Sequence, residues 1–165
     1  MKKVAIVMGS GSDAPLAKDA IAVLQEFGVP FSARVLSAHR TPDEAAAFAK
    51  SAEAEGFGAI VALAGKAAHL AGAMAAHSLL PVIGVPVSGR DLGGMDALLS
   101  TAQMPKGIPV ATVAIDGAAN AALLAVRILA LSDEALNQKL KEYARKLAEK
   151  SAEADAALQK EIATL

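Results

Sequence analysis

A histidine and an arginine stand side by side at positions 39 and 40, between an apolar run and a helix-start signal. The stretch reads VLSAHRTPDE from Val35 to Glu44. Imidazole gains and loses a proton near neutral pH, which suits His39 to general acid–base chemistry. The guanidinium of Arg40 suits bidentate binding of a phosphate. The pair predicts a site that holds an anion and moves a proton; the alternative is a solvated loop.

The residues that follow predict where this loop ends. Thr41-Pro42-Asp43-Glu44 has the pattern of a capping box with proline at the first helical position. A helix that starts there leaves Ser37, Ala38, His39 and Arg40 in the loop before it.

A second group of polar residues, GSGSDA, runs from Gly9 to Ala14 and formally matches the dinucleotide fingerprint G-x-G-x-x-G/A. The match is weak, because no acidic residue stands where the fingerprint needs one for the ribose. The glycines and the hydroxyls of Ser10 and Ser12 still suit a phosphate at a helix N-terminus. The alternative is a plain turn that Asp13 caps.

A third group, AGKAAHLAG, runs from Ala64 to Gly72. His69 is expected in the first turns of a helix, either as a functional residue or as a hydrogen-bonded core histidine. We expect Lys66 to point into the site, where its ammonium needs a counter-charge from Asp13, Asp91 or the substrate. His77 lies deeper in the same helix and is interpreted as structural. Two polar loops, Ser88–Gly94 and Gln103–Val110, have no assigned role.

The elements that must position these groups are short apolar strands that alternate with helical segments. This alternation predicts a parallel sheet with right-handed crossovers. The fold class is therefore α/β: a three-layer αβα sandwich with a doubly wound, flavodoxin- or Rossmann-like sheet. Ligands of such sheets bind at the carboxyl ends of the strands. The strand segments are VAIVM, FSARVL, GAIVALAG, PVIGVPV and PVATVAI, and the intervening helices begin near residues 13, 42, 67, 93 and 118.

The last segment has no strand signal and predicts one long helix. Ser132 is the expected N-cap, and apolar residues recur at helical spacing. The predicted organisation is a catalytic domain, 1–131, and a helical extension, 132–165, that packs in part on a neighbouring subunit rather than only on its own domain. The expected stripe comprises Leu136, Leu140, Tyr143 and Leu147, continued by Ala154, Leu158 and Ile162.

Composition excludes several classes of function. The net charge is −1 and only 3% of residues are aromatic, which argues against nucleic-acid binding. There is no cysteine, hence no disulfide or thiolate metal site. The uncharged stretch 67–89 is long enough for a membrane span, but glycines and prolines interrupt it. The N-terminal apolar run is too short for a signal peptide, so we expect a cytoplasmic protein.

The motifs MGSGSD, SAHRTP, AAHL, QMPKGIPVAT and NAALLA together resemble the PurE family of purine biosynthesis. The resemblance extends from about Lys3 to Leu131. It implies an α/β sandwich that assembles as an octamer and needs no metal, ATP or organic cofactor. It also implies an activity: moving a carboxylate from the exocyclic nitrogen of an aminoimidazole ribonucleotide to carbon four of the ring.

The resemblance also implies roles for individual residues. His39 corresponds to the catalytic general acid and base, and His69 to a second active-site histidine. Ser10 and Asp13 correspond to substrate-binding residues, with Asp13 on the ribose. The expected phosphate contacts are Ser12, Ser37 and Arg40, and the further substrate-binding residues are Ala38, Lys66 and Leu70.

The chain departs from the mutase pattern, G-G-A-A-H-L-P-G, at two positions. Lys66 replaces a glycine and Ala71 replaces a proline. A related class carboxylates the aminoimidazole ribonucleotide directly with carbon dioxide and typically carries a G-R-S-N-like segment here. AAHL favours the mutase, and the direct carboxylase is the nearest alternative. The more distant alternatives are a dinucleotide-binding oxidoreductase and a non-catalytic nucleotide-binding module.

Overall fold

The computed structural model describes all 165 residues, Met1–Leu165. It contains a five-stranded parallel sheet in the order β2-β1-β3-β4-β5. This is the flavodoxin-like order, whose topological switch point lies between β1 and β3. The strands are β1 Lys3–Met8, β2 Phe31–Val35, β3 Phe57–Gly65, β4 Val82–Val87 and β5 Ala111–Thr112; the helices are α1 Ala14–Phe27, α2 Pro42–Ser51, α3 Leu70–His77, α4 Met95–Ala102, α5 Ala118–Ala130 and α6 Glu134–Ile162.

The central strands of the sheet are covered on both faces, which confirms the three-layer prediction. Ala5 and Val7 of β1 belong to the core cluster that Phe48 of α2 and Met74 of α3 close on one face. The residues of β1 and β3 that alternate with this cluster are equally buried, and they include Val4, Ile6, Ala59 and Val61. Continuous apolar strands are what a sheet packed on both sides requires.

Strand β5 is much shorter than the predicted PVATVAI. The N–H of Val113 donates to Gly84 O of β4 at 3.1 Å, and the N–H of Asp116 to Pro86 O at 2.9 Å. Pro86 has no N–H to donate back, so the regular ladder stops after Thr112. The chain beyond Thr112 still follows β4, but Asp116 stands three positions after Val113, whereas Pro86 stands two positions after Gly84. The segment therefore contains one residue more than a regular parallel register allows.

Helix α3 begins three residues later than predicted. The N–H of Ala68 donates to Lys66 O at 2.8 Å, which forms a tight turn directly after β3. His69 therefore occupies the N-cap position of α3 and does not lie within its first turns. The N-cap of α6 also differs from the prediction: it is Asp133, whose carboxylate accepts the N–H of Leu136 at 3.0 Å, and not Ser132.

The chain divides into two compact units, 1–129 and 130–165. The second contains the long C-terminal helix, α6, of 29 residues. Every residue of α6 from Ala144 onward is exposed. The predicted roles of the two parts, and the packing of the second on a neighbouring subunit, remain predictions.

None of the six helices combines the length and the apolar character that a membrane crossing demands. The stretch 67–89 is instead a loop, helix α3 and strand β4.

Candidate active site

A cavity of about 630 Å³ opens where β1, β2, β3 and β4 end. The loop after each of these strands contributes to its wall, so the cavity lies beside the switch point of the sheet. All ten residues that the sequence singled out line this one cavity. They are Ser10, Ser12, Asp13, Ser37, Ala38, His39, Arg40, Lys66, His69 and Leu70.

The loop after β2 is held by Ser37 and Thr41. The Thr41 hydroxyl accepts the N–H of Ser37 at 3.0 Å and lies 3.2 Å from Ser37 O. Its side chain makes no capping bond to α2, so the predicted capping box is wrong, although Pro42 does occupy the first turn. Because the hydroxyl turns back to Ser37, it closes the loop that presents His39 and Arg40.

Arg40 joins the loops after β1 and β2. Its Nη2 donates to Gly9 O at 2.7 Å, and its backbone N–H donates to Ser37 Oγ at 3.1 Å. Its Nε lies 3.4 Å from the same hydroxyl. A guanidinium has five N–H donors, so donors remain for an anion in the cavity. Arg40 can therefore fix the geometry of the site and bind a phosphate at the same time.

The loop after β1 places two hydroxyls beside a buried carboxylate. Ser12 Oγ lies 3.0 Å from Ser10 Oγ and 3.2 Å from Asp13 Oδ1. Asp13 is only 8% exposed. Burial raises the pKa of Asp13, and the hydrogen bonds from Ser12 and Ser10 and the charge of Arg40 offset part of that rise. The site thus holds a desolvated acceptor next to two hydroxyls, which suits a sugar with vicinal hydroxyls.

Two histidines stack on each other in the wall of the cavity. The rings of His39 and His69 are stacked at 5.8 Å between centroids, with 25° between their planes. His39 comes from the loop after β2 and His69 from the N-cap of α3. His77, at the exposed end of α3, does not line the cavity. The fold therefore brings two of the three histidines together in the wall of the cavity.

Lys66 lines the cavity but is not buried. Its Nζ donates to Asp91 Oδ2 at 2.9 Å, and the two side chains are 79% and 69% exposed. The hydrogen bond to Asp91 raises the pKa of Lys66. Of the three possible counter-charges for Lys66, Asp91 is the one that pairs with it.

Sequence reasoning left the end of β4 without a role, although Ser88 and Gly89 line the cavity. The Ser88 N–H donates to Asp116 Oδ1 at 2.8 Å, which ties the loop after β4 to the chain after β5. The position of this loop at the carboxyl end of a central strand was the available signal. Nowhere in the chain do three His, Cys, Asp or Glu side chains come together as a metal site would require.

Replacing the buried Asp13 with asparagine is expected to stabilise the unliganded protein at neutral pH. Folding desolvates the carboxylate and raises its pKa above the unfolded value near 3.8, so the ionised form costs stability at neutral pH. That cost disappears when the pH falls below 3.8, because the carboxyl is then protonated in both states. Thermal unfolding of Asp13→Asn should show a higher Tm at pH 7 and a shrinking difference as the pH approaches 4.

The same substitution should weaken nucleotide binding by roughly tenfold or more, the usual worth of a hydrogen bond to a charged group. Asp155→Asn, at an exposed position of α6, is the matched control and should change neither property. A lower Tm for Asp13→Asn at pH 7, or a Tm difference that is as large at pH 4 as at pH 7, would contradict this account.

Comparison with known proteins places this chain in a family. The family model described as AIR carboxylase matches residues 3–150. The N5-carboxyaminoimidazole ribonucleotide mutase of Pyrococcus horikoshii is 53% identical over 147 residues, covering 89% of this chain and 83% of that protein. The mutase of Brucella melitensis is 55% identical over 152 residues, covering 91% and 94%. The crystal structure of Treponema denticola PurE superposes with a TM-score of 0.86 at 33% identity, covering 94% and 97%.

Proposed function

Because this chain belongs to the AIR carboxylase family, we propose that it is an N5-carboxyaminoimidazole ribonucleotide mutase, an isomerase of purine biosynthesis. The family resemblance drawn from the motifs is confirmed. The observation that carries the proposal is a single cavity in which Arg40 and two facing histidines meet at the switch point of the sheet.

Binding of the nucleotide is assigned to the loops after β1 and β2. Arg40, with the hydroxyls of Ser12 and Ser37, binds the phosphate, and Asp13 accepts a hydrogen bond from the ribose. The pinning of Arg40 to Gly9 O supports this assignment, because a pre-positioned guanidinium loses little freedom on binding. The imidazole base then faces His39 and His69.

The reaction needs one group that acts first as an acid and then as a base. His39 in its protonated form gives a proton to the exocyclic nitrogen, and the bond between that nitrogen and the carboxylate breaks to release carbon dioxide. Carbon four of the ring attacks the carbon dioxide and forms the new carbon–carbon bond. The proton on carbon four passes to His39, which returns to its starting state.

Because the reaction releases free carbon dioxide, the cavity must retain that molecule until carbon four attacks it. The apolar residues that line the cavity include Ala38, Ala64, Ala67 and Leu70. Small apolar side chains leave space for a neutral molecule and offer it no hydrogen bond, so this lining suits a dry pocket for the intermediate.

The second candidate is direct carboxylation of the aminoimidazole ribonucleotide by carbon dioxide. The description of the family as AIR carboxylase favours it, and so does the departure from the mutase pattern at Lys66. The purified protein should be assayed with the carboxyamino nucleotide, with and without added bicarbonate. A mutase forms the ring-carboxylated product at the same rate in both cases. A direct carboxylase instead uses the aminoimidazole ribonucleotide as its substrate, and it forms product only when bicarbonate is added as the source of carbon dioxide.

We further propose that the chain acts as a homo-oligomer in the cytoplasm, with an octamer as the expected state. The exposed apolar side chains of α6 support this, since Leu147, Leu158 and Ile162 are each 51% exposed at helical spacing. Light scattering at micromolar concentration should give about eight times 16.6 kDa. A mass of 16.6 kDa would contradict the proposal.

A further inference from the structure

Lys66 adopts a backbone conformation that L-residues rarely take. Its φ of 55° lies in the left-handed region, which only one other non-glycine residue, Asp116, shares. This conformation is strained for a residue that carries a Cβ and unstrained for glycine. The related mutase pattern has glycine at this position. A lysine in this strained conformation, on the wall of the cavity, is a candidate for a function.

The partner of Lys66 can be exchanged at little cost. Its ion pair with Asp91 is exposed on both sides, and solvent screening makes exposed pairs weak. The loop after β4 does not depend on this pair for its anchorage. Ser88 is bonded to Asp116, and Gly94 is packed so closely on Ser88 and Ile115 that an added Cβ would lie within 3.0 Å of both.

The cavity has one other permanent cation, and it is already assigned. Arg40 is bonded to Gly9 O and lies beside the serines that suit a phosphate. The substrate carries a second anion, the carboxylate that migrates. Lys66 supplies the only ammonium in the cavity wall, from the loop that also carries His69.

We propose that Lys66 binds the migrating carboxylate, and that it exchanges the carboxylate of Asp91 for that of the substrate when the nucleotide enters. This inference rests on the proposed function. In the unliganded protein Asp91 keeps the ammonium paired at the rim; in the complex Lys66 pairs with the carboxylate before and after its transfer. Asp91 is thus a competitor of the substrate for one side chain.

The test is a binding comparison between two nucleotides that differ only in the carboxylate. Calorimetry should measure the Kd of the ring-carboxylated nucleotide and of the aminoimidazole ribonucleotide for the wild type, Lys66→Met, Asp91→Asn and the double variant. Lys66→Met should weaken binding of the carboxylated nucleotide by about tenfold, the worth of a charge-assisted hydrogen bond. Binding of the nucleotide without the carboxylate should change less than about twofold.

Asp91→Asn should have the opposite effect. Removal of the competitor should tighten binding of the carboxylated nucleotide by up to about fivefold, and this gain should vanish in the Lys66→Met background. Lys66→Gly removes the charge and also relieves the backbone strain. It should match Lys66→Met in binding, which separates the effect of the charge from that of the strain.

Equal effects of Lys66→Met on both nucleotides, or no tightening by Asp91→Asn, would overturn the inference while leaving the mutase proposal intact. Failure of the wild type to bind and convert the carboxyamino nucleotide would overturn both.

Discussion

His39→Asn is expected to lower kcat by at least about a hundredfold while nucleotide binding changes little. General acid–base catalysis is typically worth two to four orders of magnitude, and asparagine can neither give nor take a proton. The structure supports the selectivity of this effect. His39 lies in a loop that Thr41, Ser37 and Arg40 hold through their own hydrogen bonds, so loss of the imidazole should leave the proposed phosphate-binding groups in place.

Two further histidine variants sharpen this test. His77→Asn is the matched control, because His77 is exposed and lies outside the cavity, and its turnover should equal that of the wild type. His69→Asn measures the contribution of the ring stacked on His39. Near-normal turnover of His39→Asn would show that the proton carrier is another group and would favour the nucleotide-binding module.

Arg40→Ala is expected to raise the Kd of the nucleotide by about 10- to 100-fold, with a smaller effect on kcat. A charge-assisted hydrogen bond to a phosphate is worth about 1.5–3 kcal/mol, and the substitution also frees Gly9 O of its partner. The loss should be felt equally by the carboxylated and the decarboxylated nucleotide, because both carry the same phosphate. Isothermal titration with the two nucleotides separates this effect from that of Lys66.

Arg40→Lys should recover only part of the affinity, since an ammonium keeps the charge but lacks the planar set of donors. Arg34→Ala is the control: Arg34 is an exposed arginine of β2 that does not line the cavity. A loss in kcat with an unchanged Kd would contradict the assignment of Arg40 to the phosphate.

The location of the site was predictable because it depends on topology. The apolar runs of β1, β2 and β3 each end directly before the residues that line the cavity. Once the strands are parallel, their carboxyl ends must share one edge, so Ser10, His39 and His69 had to come together. The position of each residue directly after a strand is readable from the sequence, so the site could be located without knowing which side chains contact each other.

Some features of the site could not be predicted, because they depend on which of several possible hydrogen-bond partners a side chain takes in the folded chain. Thr41 has a capping partner in its own helix and a competing one in Ser37, and only the folded loop selects the second. The Lys66–Asp91 pair joins residues 25 positions apart through two loops, and three counter-charges were compatible with the sequence. The short β5 results from a proline on the neighbouring strand, which appears only once the register between the strands is known.

The central claim is that the carboxylate of the product comes from the substrate itself, and isotope retention tests it most directly. The carboxyamino nucleotide should be labelled with ¹³C in its carboxylate and converted by the purified protein in unlabelled bicarbonate. Carbon dioxide that stays in the pocket is transferred before it exchanges, so we expect the ring-carboxylated product to keep the label. An unlabelled product, formed at a rate that follows the bicarbonate concentration, would contradict the mutase and identify a direct carboxylase.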